Sequence, residues 1–260
     1  MLTAYDAPTA ELLEAGGVDF ILVGYSVGMV LLGYPTTLPV TMDEMIHHVK
    51  AVRRGAKKAY VIGDMPLEGI KKGPRQALRS AKRFIEAGCN AVKLEWNTDA
   101  LEATDLIIQN NIPVMGHLGL TPQTVTSKEG YKVQGQSAES ALEILRFAKE
   151  WVRHGIFSLL VECVPSPVAR EITHSLKIPT IGIGAGPDCD GQVLVFHDIV
   201  GIFTKFEPRF VKRYAKLGGL MKKAVKNYVS DVKSGRFPQK KHGFAMNTAE
   251  LEIFRSGSRK

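Results

Sequence analysis

The residues of this chain that could do chemistry stand at the ends of short apolar runs. Each run is followed or closed by polar, mostly ionisable side chains, and these are Tyr25, Ser26, Asp64, Lys93, Glu95, His117 and Glu162. Such a set can bind a hard cation through carboxylates, move a proton through a carboxylate or an imidazole, and hold an anion through an ammonium group. A random distribution of surface charge would not favour these positions, so the pattern indicates one site.

Asp64 and Glu95 close neighbouring runs and form the candidate metal pair. If the runs are adjacent parallel strands, both carboxylates converge at one edge of the sheet. Their oxygens suit Mg²⁺, which keeps waters and adds substrate oxygens to complete an octahedron. A purely structural interpretation also stays open, in which Asp64 caps the following helix or loop and Glu95 pairs with Lys93 or an arginine.

Glu162 and His117 are the candidate proton carriers. Glu162 lies within the apolar segment LLVECVP, where desolvation would raise the pKa of its carboxyl toward the range useful for a general base. The alternative is a buried acid paired with a helix terminus. His117, between VMG and LGLTP, is either a proton carrier or hydrogen-bond donor in the site or a histidine satisfied within the core. Further along, GIGAG (182–186) lacks the spacing of a nucleotide loop, and its glycines predict a close approach of backbone to a ligand.

Eight apolar runs alternate with amphipathic stretches of helical length. The runs are LTAY (2–5), DFILVG (19–24), AYVIG (59–63), AVKL (91–94), IPVMG (112–116), SLLVE (158–162), IPTIGIG (178–184) and QVLVF (192–196). Several of the helix candidates between them begin at Ser, Thr, Asp or Pro and end at Gly or Asn, which are the cap preferences of helices. We therefore predict an α/β fold, a (β/α)8 TIM barrel, whose chemistry lies at the carboxyl ends of the strands.

No linker, repeat or low-complexity segment divides the predicted barrel. We predict one barrel domain over residues 1–244, followed by a basic, flexible tail over 245–260. The chain has no stretch of about eighteen apolar residues and its first residues do not form a signal peptide, so we expect a cytoplasmic protein with no membrane partner. Its three cysteines are far apart and form no CxxC pair, which argues against disulfides and a zinc site.

The net charge of +8 is concentrated in one segment. Residues 205–241 contain twelve Lys or Arg against two acids, whereas residues 1–204 contain nineteen basic and twenty-two acidic side chains. Within 209–235 the spacing predicts a helix with one apolar face, formed by Phe210, Tyr214, Leu217, Met221, Val225 and Val229. Its basic residues form either a solvated outer face or a surface for an anionic ligand. No aromatic-interleaved basic motif accompanies them, which argues against nucleic acid.

Several segments, in their order, closely resemble the ketopantoate hydroxymethyltransferase (3-methyl-2-oxobutanoate hydroxymethyltransferase) family. They are TLPVTMDEMIHHVKAVRRG, GHLGLTPQ, GYKVQG, LLVECVP and GIGAGPDCDGQVLVFHD. The resemblance extends from TAYD at residue 3 to about residue 244. It implies a barrel of the phosphoenolpyruvate mutase/isocitrate lyase-like superfamily and a Mg²⁺-dependent enzyme of pantothenate and coenzyme A biosynthesis. It also implies a homo-oligomer, such as a decamer.

The resemblance further implies a reaction and a set of roles. The family transfers a one-carbon unit from 5,10-methylenetetrahydrofolate to the keto acid 3-methyl-2-oxobutanoate, which gives 2-dehydropantoate. By position, Asp64 and Glu95 match the metal carboxylates, and Ser26 and Lys93 match groups that hold the keto acid, beside Asp64 and the residue at position 25. Glu162 matches the proton acceptor, and His117 matches a histidine near the substrate, so that both are predicted to be catalytic. The enolate formed by Glu162 would attack the methylene carbon of the folate.

The chain departs from the family at position 25, where LVGDSxG becomes LVGYSVG. Tyr25 thus takes the place of an aspartate that is a third metal ligand and borders the keto acid. A phenol with a pKa of about 10 is neutral at pH 7, and its ring is much larger than a carboxylate. If the ring points into the mouth, we expect weak metal binding or a blocked site; if it points away, water could replace the lost ligand. We also expect the family's amino-terminal extension, ahead of TAYD, to be absent.

Three interpretations of function follow. The first is a Mg²⁺-dependent hydroxymethyltransferase whose activity is lowered by Tyr25. The alternative is a catalytically silent paralogue that acts as an oligomeric binding or structural partner. Enzymes of the phosphoenolpyruvate mutase and isocitrate lyase type share the barrel and the metal site, but not GHLGLTPQ and GYKVQG, which argues against them.

Overall fold

The structure is a computed structural model that describes residues 1–123 and 132–258. Its centre is one sheet of eight parallel strands in sequential order. The strands are β1 (Leu2–Thr3), β2 (Phe20–Val23), β3 (Tyr60–Asp64), β4 (Ala91–Glu95), β5 (Val114–Gly119), β6 (Ser158–Glu162), β7 (Thr180–Ile183) and β8 (Gly191–Gln192). A parallel bridge between Leu2 and Leu194 joins the two sheet edges. The sheet therefore closes, which confirms the predicted (β/α)8 barrel and its number of strands. The eighth strand includes only Gln192 of the predicted run 192–196, and a helix begins at Phe196.

Helices connect the strands, and several of their ends follow the predicted caps. The helices up to residue 199 are α1 (Ala7–Ala15), α2 (Val27–Val30), α3 (Met42–Gly55), α4 (Leu67–Ile70), α5 (Pro74–Ala87), α6 (Ala100–Gln109), α7 (Ala138–Arg153), α8 (Ser166–Ser175) and α9 (Phe196–Ile199). Asp6 accepts the Thr9 N–H at the start of α1, and Thr41 and Glu44 form a capping box at the start of α3. At the end of α5, Gly88 adopts a φ of 112°, a conformation that favours glycine.

The interior of the barrel contains an apolar layer beneath the predicted site. This layer consists of Leu22, Ile62, Ala91, Met115, Leu160, Ile181 and Val193. Because alternate residues of a strand point to the same face, the next inward position along each strand lies two residues closer to the carboxyl end. Those positions are Asp64 after Ile62, Lys93 after Ala91, His117 after Met115 and Glu162 after Leu160. Strand periodicity thus places the polar side chains in one ring above an apolar floor.

Glycines that precede site residues let the helices pack closely behind the strands. A Cβ atom on Gly63 would lie 2.4 Å from Phe84 of α5, and one on Gly116 would lie 2.9 Å from Trp151 of α7. Both aromatic side chains are fully buried. The glycines therefore admit large rings on the helix side of the sheet, while the following residues, Asp64 and His117, point into the barrel.

The chain divides into two compact units, Met1–Tyr214 and Ala215–Lys260. The second contains α10 (Leu217–Lys233), a 3₁₀ helix (Lys240–His242) and α11 (Thr248–Gly257), and none of these helices buries a residue. The helix predicted within 209–235 begins only at Leu217, so the prediction was wrong for Phe210 and Tyr214. The predicted domain limits, 1–244 and 245–260, and the flexibility of the tail stay predictions. Within the described residues, no helix combines the length and apolar character that a membrane span needs.

Candidate active site

All seven predicted site residues lie together at the carboxyl end of the barrel. Tyr25 and Ser26 follow β2, Asp64 ends β3, Lys93 and Glu95 lie in β4, and the rest of the set is His117 of β5 and Glu162 at the end of β6. Cys163, directly after Glu162, has a φ of 49°, which is uncommon for a residue with a side chain. Such strained backbone is often found at functional sites, and here it turns the chain immediately after the candidate base.

Lys93 is the cation at the centre of the site. Its side chain is only 2% exposed, and its Nζ atom lies 2.7 Å from Oδ1 of Asp64. The same Nζ lies 3.1 Å from Nδ1 of His117 and 4.9 Å from the centre of the Tyr25 ring. Because an ammonium group only donates, Nδ1 of His117 accepts, and the proton of the neutral imidazole lies on Nε2. Lys93 therefore orients three of its neighbours at once.

Tyr25 points into the barrel mouth and is 5% exposed. Its hydroxyl donates a short hydrogen bond to Oε1 of Glu95, and its backbone N–H lies 3.4 Å from Oδ2 of Asp64. The second oxygen of Glu95 accepts the N–H of Gln123 at 3.3 Å. Burial and the neighbouring Glu95 raise the pKa of the Tyr25 phenol well above its usual range. The phenol is therefore neutral and offers no negative charge at this position.

His117 and Glu162 form a second contact across the site. Nε2 of His117 lies 3.1 Å from Oε2 of Glu162 and, in the described part of the chain, forms no well-directed hydrogen bond. Burial and the charge of Lys93 lower the pKa of the His117 imidazole well below its usual range. The neutral imidazole thus presents an N–H that is free to donate to Glu162 or to a ligand.

The three carboxyl groups of the site have unusual acidities. Burial raises the pKa of Asp64 to about 6, that of Glu95 to about 7 and that of Glu162 to about 8, and Lys93 opposes each increase. One ammonium faces three carboxylates, so full ionisation leaves a local charge of about −2. The site therefore has a deficit of positive charge.

A cavity of about 360 Å³ opens above these residues. Tyr25, Asp64, Lys93, His117 and Glu162 line it, as does Ser26, whose hydroxyl lies 2.8 Å from that of Tyr5. Glu95 lines a separate small cavity instead. Since Tyr25 both lines the main cavity and bonds to Glu95, the phenol lies between Glu95 and the space where a ligand would bind.

Comparison with known proteins identifies the family. The sequence profile of the ketopantoate hydroxymethyltransferase family matches residues 1–240. A 3-methyl-2-oxobutanoate hydroxymethyltransferase of Carboxydothermus hydrogenoformans is 49% identical over 97% of this chain and 92% of its own length. That of Oleidesulfovibrio alaskensis is 51% identical over 95% of this chain and 86% of its own. The chain belongs to the ketopantoate hydroxymethyltransferase family.

The fold relationship extends beyond the ketopantoate hydroxymethyltransferase family. The crystal structure of 2,3-dimethylmalate lyase, a member of the PEP mutase/isocitrate lyase superfamily, superposes with a TM-score of 0.57 at 16% identity. It covers 98% of this chain and 87% of the lyase. This likeness supports the predicted barrel fold, whereas the predicted superfamily stays a prediction.

The side chains of this site suit a divalent cation in their charge and in the type of their donor atoms, but the side chain at position 25 does not. Asp64 and Glu95 supply hard oxygens, and a charge of +2 would balance the deficit of the site. However, no group of three or more His, Cys, Asp or Glu side chains in the described ranges is placed to hold a metal ion. Tyr25 occupies the position predicted for a third ligand, and its neutral phenol already bonds to Glu95.

One feature of the site, Tyr5, was missed from the sequence. Tyr5, whose hydroxyl meets Ser26, follows the first strand just as the other site residues follow theirs, so its position was the available signal. In GIGAG, a Cβ atom on Gly184 would lie 2.7 Å from Phe210 and one on Gly186 would lie close to Ser166, so these glycines allow close packing. The expected approach of this backbone to a ligand stays a prediction. The first residues of the motif GYKVQG lie outside the described residues.

Proposed function

We propose that this chain transfers a one-carbon unit from 5,10-methylenetetrahydrofolate to 3-methyl-2-oxobutanoate, giving 2-dehydropantoate, and that Tyr25 lowers its rate. The observation that supports the proposal best is the group formed by Lys93, His117 and Glu162. A buried ammonium, a neutral imidazole and a desolvated carboxyl meet on one cavity. These are the groups needed to hold a keto acid and to take a proton from it.

The keto acid would lie over Lys93. The ammonium of Lys93 and the hydroxyl of Ser26 would hold the substrate carboxylate, and Nε2–H of His117 would donate to an oxygen that gains charge in the transition state. Glu162 would take the proton from C3. Its raised pKa suits a base, since a carboxylate of ordinary pKa is too weak a base to take a proton from carbon efficiently.

Asp64 and Glu95 would hold Mg²⁺. A bound Mg²⁺ withdraws electrons from the keto group and so makes the neighbouring C–H more acidic. Beside such a cation the ionised forms of Asp64, Glu95 and Glu162 would all be favoured. Glu95 can serve only if Tyr25 gives up its hydrogen bond, which is why we propose a weak site and a slow enzyme.

The transfer step balances with one water molecule. The enolate carbon forms a bond to the one-carbon unit, and the bonds from that unit to the two folate nitrogens break. Water supplies the hydroxyl oxygen of the product. The two nitrogens of tetrahydrofolate take up one proton from C3 and one from the water, so Glu162 returns to its starting state.

A turnover assay tests this proposal. Purified protein is supplied with 3-methyl-2-oxobutanoate, methylenetetrahydrofolate and Mg²⁺, and 2-dehydropantoate is measured by mass spectrometry. We expect slow, Mg²⁺-dependent formation of product. No product from a folded wild type, nor from Tyr25→Asp, would contradict the proposal and favour the silent partner. The predicted homo-oligomer and cytoplasmic location stay predictions.

A further inference from the structure

The cavity above the site has a second wall of different chemistry. The segment Phe203–Phe210, which we call the aromatic rim, lines it with three phenylalanines and with Arg209. The ring of Phe206 is 62% exposed and that of Phe210 is 36% exposed. Monomers bury such rings where they can, so exposed rings that face a cavity indicate a ligand surface.

Backbone hydrogen bonds fix the chain at the start of the aromatic rim and shortly after its end. The N–H of Phe203 donates to the carbonyl of His197 at 3.2 Å, and the N–H of Tyr214 donates to that of Ile199 at 2.7 Å. An ion pair of 3.1 Å between Arg213 and Glu207 links the segment further. The rim is therefore a built wall, and its shape exists before a ligand arrives.

Phe210 anchors the rim to the barrel. Its ring occupies the space where a Cβ atom of Gly184 would be, at the carboxyl end of β7. Gly184 has a φ of 61°, a conformation that favours glycine. The ring of polar side chains and the aromatic rim thus line one cavity.

Arg209 is the free charge of the rim. It lines the cavity, is exposed and forms no ion pair with any residue in the described ranges, whereas Arg213 is paired with Glu207. An unpaired guanidinium beside aromatic rings suits a ligand that joins a flat ring system to a carboxylate. The phenylalanine rings can stack on the ring system of the ligand, and the two N–H donors of the guanidinium can bind its carboxylate.

We propose that the aromatic rim binds the folate co-substrate, with Phe203, Phe206 and Phe210 against its ring system and Arg209 on a glutamate carboxylate. This assignment rests on the proposed function. The ring of polar side chains can hold the small keto acid, and the rim lines the same cavity, so a folate bound at the rim can bring its methylene carbon to the keto acid. The cavity volume lies within the range of about 300–1,000 Å³ that is typical of small-molecule sites.

Binding without turnover tests the assignment. The dissociation constants of tetrahydrofolate and of 6-methyltetrahydropterin, which lacks the glutamate, are measured anaerobically by calorimetry for four variants. We expect Phe206→Ala to weaken both ligands about tenfold and Arg209→Gln to weaken tetrahydrofolate alone by about fivefold. Phe254→Ala and Arg255→Gln, from the exposed face of α11, are matched controls, since Phe254 is 61% exposed.

The outcomes separate the two proposals. Unchanged tetrahydrofolate binding by both Phe206→Ala and Arg209→Gln would overturn the rim as the folate site and leave the proposed reaction standing. A folded wild type that binds no tetrahydrofolate would contradict the proposed function itself. Equal losses in Phe254→Ala and Phe206→Ala would also overturn the rim, because the effect would then not depend on the cavity.

Discussion

The hydroxyl of Tyr25 donates a hydrogen bond to Oε1 of Glu95 inside the barrel mouth. In this family the position of Tyr25 is expected to hold an aspartate, and the structure places a neutral donor where a negative acceptor would stand. The phenol therefore satisfies Glu95, covers it from the cavity and adds no charge. A single substitution converts a ligand of the proposed metal site into a competitor for that site.

Restoring the carboxylate should restore the metal site. We expect Tyr25→Asp to tighten Mn²⁺ binding, measured by electron paramagnetic resonance, and to raise turnover at least about tenfold, which corresponds to about 1.4 kcal/mol. The reason is an added anionic ligand together with the release of Glu95. Equal and full activity in both proteins would show that Tyr25 does not matter.

Tyr25→Phe separates the ring from the hydroxyl. It removes the bond to Glu95 but keeps the ring in the cavity, so we expect it to recover little activity compared with Tyr25→Asp. A recovery as large as that of Tyr25→Asp would mean that the hydrogen bond, and not the lost carboxylate, limits the enzyme.

Glu162 can be tested without folate. If it takes the C3 proton, Glu162→Gln should slow the exchange of that proton with D₂O by about a hundredfold or more, with little change in keto acid affinity. Proton NMR follows the exchange in the presence of Mg²⁺. Exchange at the wild-type rate would show that Glu162 is not the base that takes this proton.

Strand period and chain position were sufficient to predict the barrel and its ring of polar residues. The orientation of Tyr25 was not predictable, because it depends on Glu95 and Lys93, which lie about seventy residues further along the chain. The helical spacing of Phe210 and Tyr214 continues that of α10, so local periodicity extended the helix too far. The contact of Phe210 with Gly184 and the position of Phe210 in the cavity wall show that this segment belongs to the mouth.

Lys93 should be important for stability as well as for binding. Breaking a buried ion pair costs about 3–5 kcal/mol, but Asp64, with its raised pKa, can take up a proton and reduce this loss. We expect Lys93→Met to lower the free energy of unfolding, measured in urea, by about 2–3 kcal/mol. The double variant Lys93→Met/Asp64→Asn should lose less than the sum of the single changes, and strict additivity would show that the two residues are not coupled.

Asp198, which lines the same cavity as the proposed site, predicts a pH dependence of stability. Burial raises the pKa of the Asp198 carboxyl to about 6. The charge of Arg213 opposes this increase and that of Glu207 adds to it, and the Tyr5 hydroxyl also faces the Asp198 carboxyl. Between about pH 4 and 6 the folded state then binds more protons than the unfolded state, so stability falls as pH rises. In urea unfolding, the free energy of unfolding of Asp198→Asn should fall less between pH 4.5 and pH 7 than that of the wild type. The same loss in both proteins would contradict the assignment.

Gly184→Ala tests the contact between the backbone that follows β7 and the aromatic rim. Alanine at this position would have to adopt a φ of 61°, and its Cβ atom would lie 2.7 Å from Phe210. We therefore expect the free energy of unfolding, measured in urea, to fall by about 1–3 kcal/mol. Gly219→Ala, in α10, is the matched control, because nothing lies within 4 Å of its Cβ and alanine favours a helix by about 1 kcal/mol. The two changes in stability should therefore have opposite signs.

If Phe210 also positions folate, Gly184→Ala should weaken tetrahydrofolate binding at temperatures where the variant is fully folded, whereas Gly219→Ala should not. Unchanged binding in folded Gly184→Ala would remove Phe210 from the proposed folate site, because the substitution must displace its ring.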